Sequence, residues 1–265
     1  MRFLLLSDLR GATERIPQVL NLAKTQNIHA VVFAGNIIGE DARVRAFEKA
    51  LETSSAPEID DVLLKELEDK AVEAYEAFFD AMGTLDIPVF VVPGYLDAPE
   101  RLYLQASLNH EVVEPNVHMV HRSFVPIPGE NLAVTGFGGS INDRDERENR
   151  LVLLYPDWEA LFAFEFLRQV KQRPFFVFHT PPRRGTIDLD RGEHVGQHVV
   201  EELIKTYRPP YAVVGTARDG QGTTMIGTTL VINPGPLSDG HYAILDTHTD
   251  NVEFNRLPEP EAVHA

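Results

Sequence analysis

The chain has 265 residues, with 24 Lys+Arg against 40 Asp+Glu, a formal net charge of −16 and no cysteine. That charge excludes sequence-independent nucleic-acid binding and attachment to an anionic membrane surface, which need clustered basic residues; the missing cysteine excludes disulfides, thiolate metal sites and a cysteine nucleophile. Hydrophobic residues at 43% suffice for the core of one large α/β domain, and no apolar run reaches the roughly 20 residues of a membrane span.

Phe3-Leu4-Leu5-Leu6 predicts a buried strand directly after Met1, ending in Ser7-Asp8-Leu9-Arg10. With no charged segment, apolar run and cleavage site before it, the expected location is the cytoplasm. Ile16, Val19, Leu20 and Ala23 recur at helical spacing, which predicts an amphipathic helix over about 14–26 with Thr13 as its N-cap. Val31-Val32-Phe33-Ala34 predicts a second strand, ending in Gly35-Asn36.

The next strand, Val89-Phe90-Val91-Val92, ends in Pro93-Gly94-Tyr95-Leu96-Asp97. The about fifty residues before it exceed one crossover helix. A helical pattern over 42–52 breaks at Thr53-Ser54-Ser55-Ala56-Pro57. Ile59, Leu63, Leu67, Ala71, Ala74, Phe78 and Met82 then mark a long helix that Gly83 ends. Residues 66–82 read as a crossover helix with an acidic solvated face. For 40–65 a helical insertion covering the site or a partner is the sharper alternative.

Strands follow in close succession over 117–125, 132–137, 175–178, 211–214, 224–226, 229–232 and 242–246. Helices over about 157–172 and 195–207 interrupt them, and Gly227-Thr228 reads as a hairpin turn. The pattern suggests two sheets packed face to face with helices outside. The expected organisation is one domain over 1–257 and a ragged tail over 258–265.

The strand ends carry the chemistry, because ligands of α/β sheets collect outside the carboxyl ends of the strands. The fourth and fifth such ends are His179-Thr180-Pro181-Pro182 and Gly215-Thr216-Ala217-Arg218. In this order the segments resemble the calcineurin-like metallophosphoesterase family, whose motifs read Asp-x-His, Gly-Asp, Gly-Asn-His-Asp/Glu, His and Gly-His-x-His. The resemblance runs from residue 2 to about 246 and implies a four-layer αββα sandwich. It also implies a two-metal phosphoesterase centre, in which the ions polarise the phosphoryl oxygen and supply hydroxide.

Carried over by position, Asp8 stands at the first metal-binding aspartate, Arg10 at a metal-binding histidine and Asn36 at the bridging aspartate. Tyr95 replaces the ligand asparagine, and Leu96 the histidine that protonates the leaving group. His179 matches a ligand histidine, and Thr216 and Arg218 replace the last two histidines. Only Asp8 and His179 are unchanged, with Asp97 a matching neighbour.

Arginine cannot ligate a cation, and its fixed charge repels one. A full two-metal centre is therefore not expected; at most one divalent cation would sit weakly on Asp8, Asn36, Asp97 and His179. Two arrangements are open for the arginines. Arg10 and Arg218 either pair with Asp8 and Asp97 in the space of the lost ions, or bind a phosphate-type anion with His179.

Pro181-Pro182 forces an extended exit that holds His179 at the strand end. Arg183, Arg184 and Arg191 follow on a loop with balancing Asp188 and Asp190, and His194 and His198 flank Gly196. Gly136-Phe137-Gly138-Gly139-Ser140 lacks the following Lys-Ser/Thr of a nucleotide loop. Ser7 and Ser140 lack the escort of a serine hydrolase.

The expected function is that of a binding or regulatory relative, holding a small phosphorylated ligand where hydrolysis is impaired or absent. A phosphoesterase with a reduced metal site and a scaffold acting through the acidic helices 40–82 are the alternatives. A protein partner or homo-oligomer is compatible with either.

Overall fold

A computed structural model of the chain describes residues 1–260. Its first half alternates strands and helices: β1 (Arg2–Leu6), α1 (Ile16–Thr25), β2 (Ala30–Phe33), α2 (Ala42–Thr53), α3 (Asp61–Gly83), β3 (Val89–Val91), α4 (Glu100–Val113) and β4 (Val117–Met119). The second half runs through β5 (Phe124–Pro126), β6 (Leu132–Phe137), β7 (Ser140–Asn142), β8 (Leu154–Pro156), α5 (Asp157–Ala163), β9 (Arg173–Phe178), β10 (Leu189–Asp190) and β11 (Glu193–His194). It closes with α6 (His198–Tyr207), β12 (Tyr211–Val214), β13 (Gly222–Ile226), β14 (Thr229–Asn233), β15 (His241–Asp246) and β16 (Asn251–Arg256).

Two six-stranded sheets result, ordered β16-β15-β1-β2-β3-β4 and β13-β14-β12-β9-β6-β5. Each has four parallel strands at its heart: β1 through β4 in one, and β14, β12, β9 and β6 in the other. The parallel strands read as unbroken apolar runs because both of their faces are buried. Phe3, Leu5, Val32 and Phe90 point inward against Val134, Phe175, Val177, Val213 and Ile232 of the second sheet. Phe3 and Phe175 meet across the layers at 5.1 Å.

Leu4, Leu6, Val31 and Phe33, one residue out of phase, face α1, α2, α3 and α4. Phe176, Phe178 and Val214 likewise face α5 and α6. The fold is the four-layer αββα sandwich that the sequence implied.

Side-chain caps start two of the helices. Asp60 caps α3 by accepting from the backbone N–H groups of Val62 and Leu63, each at 3.0 Å. Asp41 caps α2, which ends at Ser54 in a left-handed conformation. Thr13 does not cap α1; a short 3-10 turn over Thr13–Arg15 leads into it with no side-chain cap.

The single strand expected over 117–125 is two strands in different sheets, and the chain crosses between layers at Val120–Ser123. The helix expected over 157–172 stops at Ala163 and continues as a 3-10 turn, Glu165–Gln169. α4 and β16 are additional to the elements expected from the sequence. The tail is ordered at its start, where the Pro258 carbonyl accepts from Arg15 at 2.6 Å and Glu259 pairs with Arg15 at 3.3 Å. Residues 261–265 lie outside the described residues.

The segment 40–65 is divided: part of α2 packs inward, while nearly all of 51–63 is exposed. Val44 and Phe47 of α2 are buried in the helical layer. Arg43 is 2% exposed, pairs with Asp41 at 2.7 Å and donates to the Ala98 carbonyl.

Candidate functional site

The carboxyl ends of β1, β2, β3, β9 and β12 bring Asp8, Asn36, Asp97, His179 and Thr216 together. Parallel register does this: Leu6 pairs with Phe33, Phe33 with Val91, and Phe178 with Val214. The residues just past those pairs therefore meet. Gly94 is required there, since a Cβ would run into the Asn36 side chain.

Asp8 lies at the bottom of the site, 2% exposed. Its Oδ1 accepts from Arg10 Nε and Asn36 Nδ2, both at 2.9 Å, and its Oδ2 accepts from the Thr216 backbone N–H at 2.8 Å. Asn36 is locked from its other end, where its Oδ1 accepts from the Leu96 N–H at 2.7 Å. The amide therefore aims its donor, not its oxygen, at Asp8.

His179 is fully buried, with Nδ1 2.7 Å from the Ala34 carbonyl and Nε2 2.6 Å from Thr216 Oγ1. A carbonyl can only accept, so Nδ1 carries the proton and Nε2 of the neutral ring accepts from the threonine hydroxyl. Burial lowers the histidine's pKa, against the Asp8 charge and the Ala34 carbonyl, which oppose it. The ring is thus neutral at physiological pH. Thr216 holds this position with φ at 64°, a left-handed conformation that a β-branched residue adopts only when its surroundings over-determine it.

Asp97 turns away from the cleft. Its Oδ1 accepts from the N–H groups of Ile37 and Ile38 at 2.8 and 3.1 Å, and its Oδ2 from Gly94 at 2.7 Å. Complete burial raises its pKa to about 6 although these three donors pull the other way. It braces the β2 and β3 loops against each other and is neither a cation ligand nor an arginine partner.

The expected pairing of arginines with Asp8 and Asp97 is therefore half corrected: Arg10 takes Asp8, and Arg218 takes Asp190. Arg218 Nε and Nη2 grip both Asp190 oxygens at 2.8 and 3.2 Å. Burial pushes Asp190 up, but the Arg218 contacts and the nearby Arg10 outweigh it and hold the carboxyl below its usual range. Asp190 lies on the ribbon of β10 and β11, which the sequence offered only as a loop balancing its own arginines.

Above this network opens a cleft of roughly 290 Å³, lined by Arg10, Arg191 and Arg218, by Glu40, Glu48 and Asp190, and by Tyr95, Thr180 and Thr216 among others. Glu40 comes from the turn before α2 and Glu48 from α2 itself, which together line one side of the cleft. Burial, then Glu48, Glu148 and Glu40, push the Tyr95 phenol up, so it stays a neutral donor. Arg191 makes no ion pair among the described residues, while Arg184 turns outward to Glu201 at 2.8 Å. Asp188, fully buried, accepts from the Gly196 N–H at 3.3 Å and lies 2.9 Å from His194 Nδ1. His194 is thereby a loop brace outside the cleft, and His179 lies beneath the cleft floor.

As a metal cage this arrangement does not fit. Both Asp8 oxygens and His179 Nε2 are occupied from within, Asn36 presents N–H, and Arg10 presents a cation. Among the described residues no three His, Cys, Asp or Glu side chains are placed to hold a metal ion.

No curated protein matches the sequence. A family model described as metallophosphoesterase, calcineurin superfamily, matches residues 1–257. One solved crystal structure is 30% identical over 97% of this chain and 99% of its own, with a TM-score of 0.88. The structure of TT1561 of Thermus thermophilus is 28% identical over 96% of this chain and 98% of its own, with a TM-score of 0.78. A dimetal phosphatase from Danio rerio, at 12% identity, 97% and 95% coverage and a TM-score of 0.61, shares the fold. Strand ends, sheet order and family model agree: the chain belongs to the calcineurin-like metallophosphoesterase family.

Proposed function

We propose that this protein binds a small phosphate-type anion in the cleft and does so without a two-metal centre. Guanidinium N–H groups left over after the internal bonds carry the reading. Arg10 uses Nε on Asp8 and Nη1 on Glu40 at 3.5 Å, which leaves Nη2 without a partner among the described residues. Arg218 uses Nε and Nη2 on Asp190, which leaves Nη1. With the unpaired Arg191 they present three forks to one cleft, a geometry suited to bidentate phosphate or carboxylate.

Three arginines and three carboxylates cancel in the lining, so selectivity would come from fork geometry rather than from field. Glu40 and Glu48 at the α2 side favour a ligand with donor groups at its other end. Affinity for an anion in place of cations accounts for the same substitutions that dismantle the metal site. The expected role is that of a ligand-binding or regulatory member of the family.

Inorganic phosphate tests it. At one hundred times the dissociation constant, binding adds about 2.7 kcal/mol, which for a chain of this size raises the melting temperature by about 5–10 °C. Arg218→Ala should abolish that shift while leaving the unliganded melting temperature within about 2 °C. No shift with phosphate, or the same shift in the variant, would overturn the reading.

A further inference from the structure

The Thr216 hydroxyl has a use beyond filling the space of a ligand. It stands 2.6 Å from His179 Nε2, and the other ring nitrogen is fixed by the Ala34 carbonyl at 2.7 Å. A hydroxyl on an unprotonated imidazole nitrogen, with the ring oriented by a third group, is the arrangement that activates a nucleophile. The carbonyl fixes which nitrogen is free, so this base faces the hydroxyl in the resting protein.

Three further observations place that hydroxyl where a substrate would meet it. Thr216 lines the cleft, whereas His179 is sealed beneath it. Arg10 and the Thr216 N–H hold opposite oxygens of Asp8, so a guanidinium flanks the hydroxyl across a single carboxylate. Arg218 follows two positions later on its own 3-10 turn, anchored by Asp190. A phosphoryl group gripped by these forks would lie against Oγ1.

We propose that Thr216, with His179 as its base, is the nucleophile of a metal-independent phosphoryl transfer from phosphate monoesters or acyl phosphates. Oγ1 attacks phosphorus and a Thr216 O–P bond forms as the bond to the leaving oxygen breaks. The hydroxyl proton passes to Nε2, and the leaving oxygen, in line on the open side of phosphorus, departs as a carboxylate from an acyl phosphate or takes a proton from solvent. Water next attacks the phosphothreonine from the open cleft and releases one proton to solvent; the O–P bond to Thr216 breaks, Oγ1 recovers the proton held on Nε2, and inorganic phosphate departs. Arg10, Arg218 and Arg191 would neutralise the equatorial oxygens, a task purely of position and charge.

The inference rests on the anion reading above, and one set of measurements separates them. The full chain in excess EDTA is given acetyl phosphate for intact-mass and peptide analysis, and p-nitrophenyl phosphate for turnover, beside the inorganic-phosphate melting shift. A phosphoryl adduct mapped to Thr216 is expected, together with turnover that EDTA does not remove. Thr216→Ser should keep both. Thr216→Val, equal in shape, should lose both while keeping the phosphate shift, and His179→Gln should slow turnover by roughly 10²–10⁴-fold. No adduct and no turnover alongside an intact phosphate shift would overturn the nucleophile and leave the anion site standing. An adduct on another residue, or turnover undiminished in Thr216→Val, would also overturn it. Absence of the phosphate shift would sink the anion reading itself.

Discussion

Replacing the Asn36 amide by a carboxylate probes the network at its centre. Asn36 Nδ2 lies 2.9 Å from Asp8 Oδ1, and Leu96 holds the amide the right way round. Asn36→Asp would set two carboxylate oxygens at that separation on a buried floor. Coulomb repulsion at 2.9 Å and an effective dielectric near 20 is about 6 kcal/mol. The pair escapes part of this by sharing a proton, which at pH 7.5 costs about 1.4 kcal/mol for each unit above an ordinary carboxyl value. Full protonation at pH 7.5 would cost about 5 kcal/mol, the smaller of the two limits, so a loss of up to about 5 kcal/mol is expected.

The folded variant would hold a proton that the unfolded chain has released, so its stability rises as pH falls. Urea midpoints of the variant and the parent chain, compared from pH 7.5 to 5.5, read both effects. The deficit should shrink by about 1.4 kcal/mol per pH unit on acidification. A midpoint unchanged at pH 7.5, or a deficit that ignores pH, would refute the assigned donor.

Other outcomes are equally definite. Asp97→Ala leaves the buried N–H groups of Ile37, Ile38 and Gly94 without their acceptor and should cost about 3–5 kcal/mol by chemical denaturation; a loss below 1 kcal/mol would deny Asp97 its bracing role. Burial and the adjacent Arg122 hold His121 well below the ordinary histidine value, so the unfolded chain takes up a proton that the fold refuses. Stability should then fall as pH drops below about 6.5, and His121→Asn should remove about 1.4 kcal/mol per pH unit of that slope in urea titrations between pH 6 and 5. An identical slope in the variant would contradict the neutral histidine. Phe47→Ala on α2 should cost about 3–4 kcal/mol, because Phe47 is buried in the helical layer; a cost under 1 kcal/mol would show that α2 packs only loosely on the core.

The sequence made the fold legible where physics leaves a repeated mark. Strands such as Phe3-Leu4-Leu5-Leu6 are apolar throughout because both faces are buried, and α3 carries a long helical stripe between Asp60 and Gly83. α4 escaped because its buried residues, Tyr103, Ala106 and Ser107, make a weak stripe while Leu108, Val112 and Val113 stay exposed. β16 escaped because it is an edge strand with mostly exposed side chains.

At the site, the positions of Asp8, Asn36, His179, Thr216 and Arg218 followed from where each strand ends. Partner choice did not. Asp97 is three residues from Gly94 in sequence, and only the fold shows that its carboxyl turns back onto backbone N–H groups. Asp190 reaches Arg218 because β10 and β11 fold a loop across the cleft, a long-range closure with no local signal. The Thr216 hydroxyl on His179 is of the same kind, since 37 residues separate the pair.

The central claim is that hydrogen bonds and guanidinium groups fill the floor where this family holds its cations. A crystal of the chain grown with millimolar Mn²⁺ and measured at the manganese absorption edge tests it most directly. The structure predicts no anomalous peak between Asp8 and His179, with Arg10 still on Asp8 and Thr216 still on the imidazole. Two peaks there, with Arg10 and Arg218 displaced from Asp8 and Asp190, would contradict it.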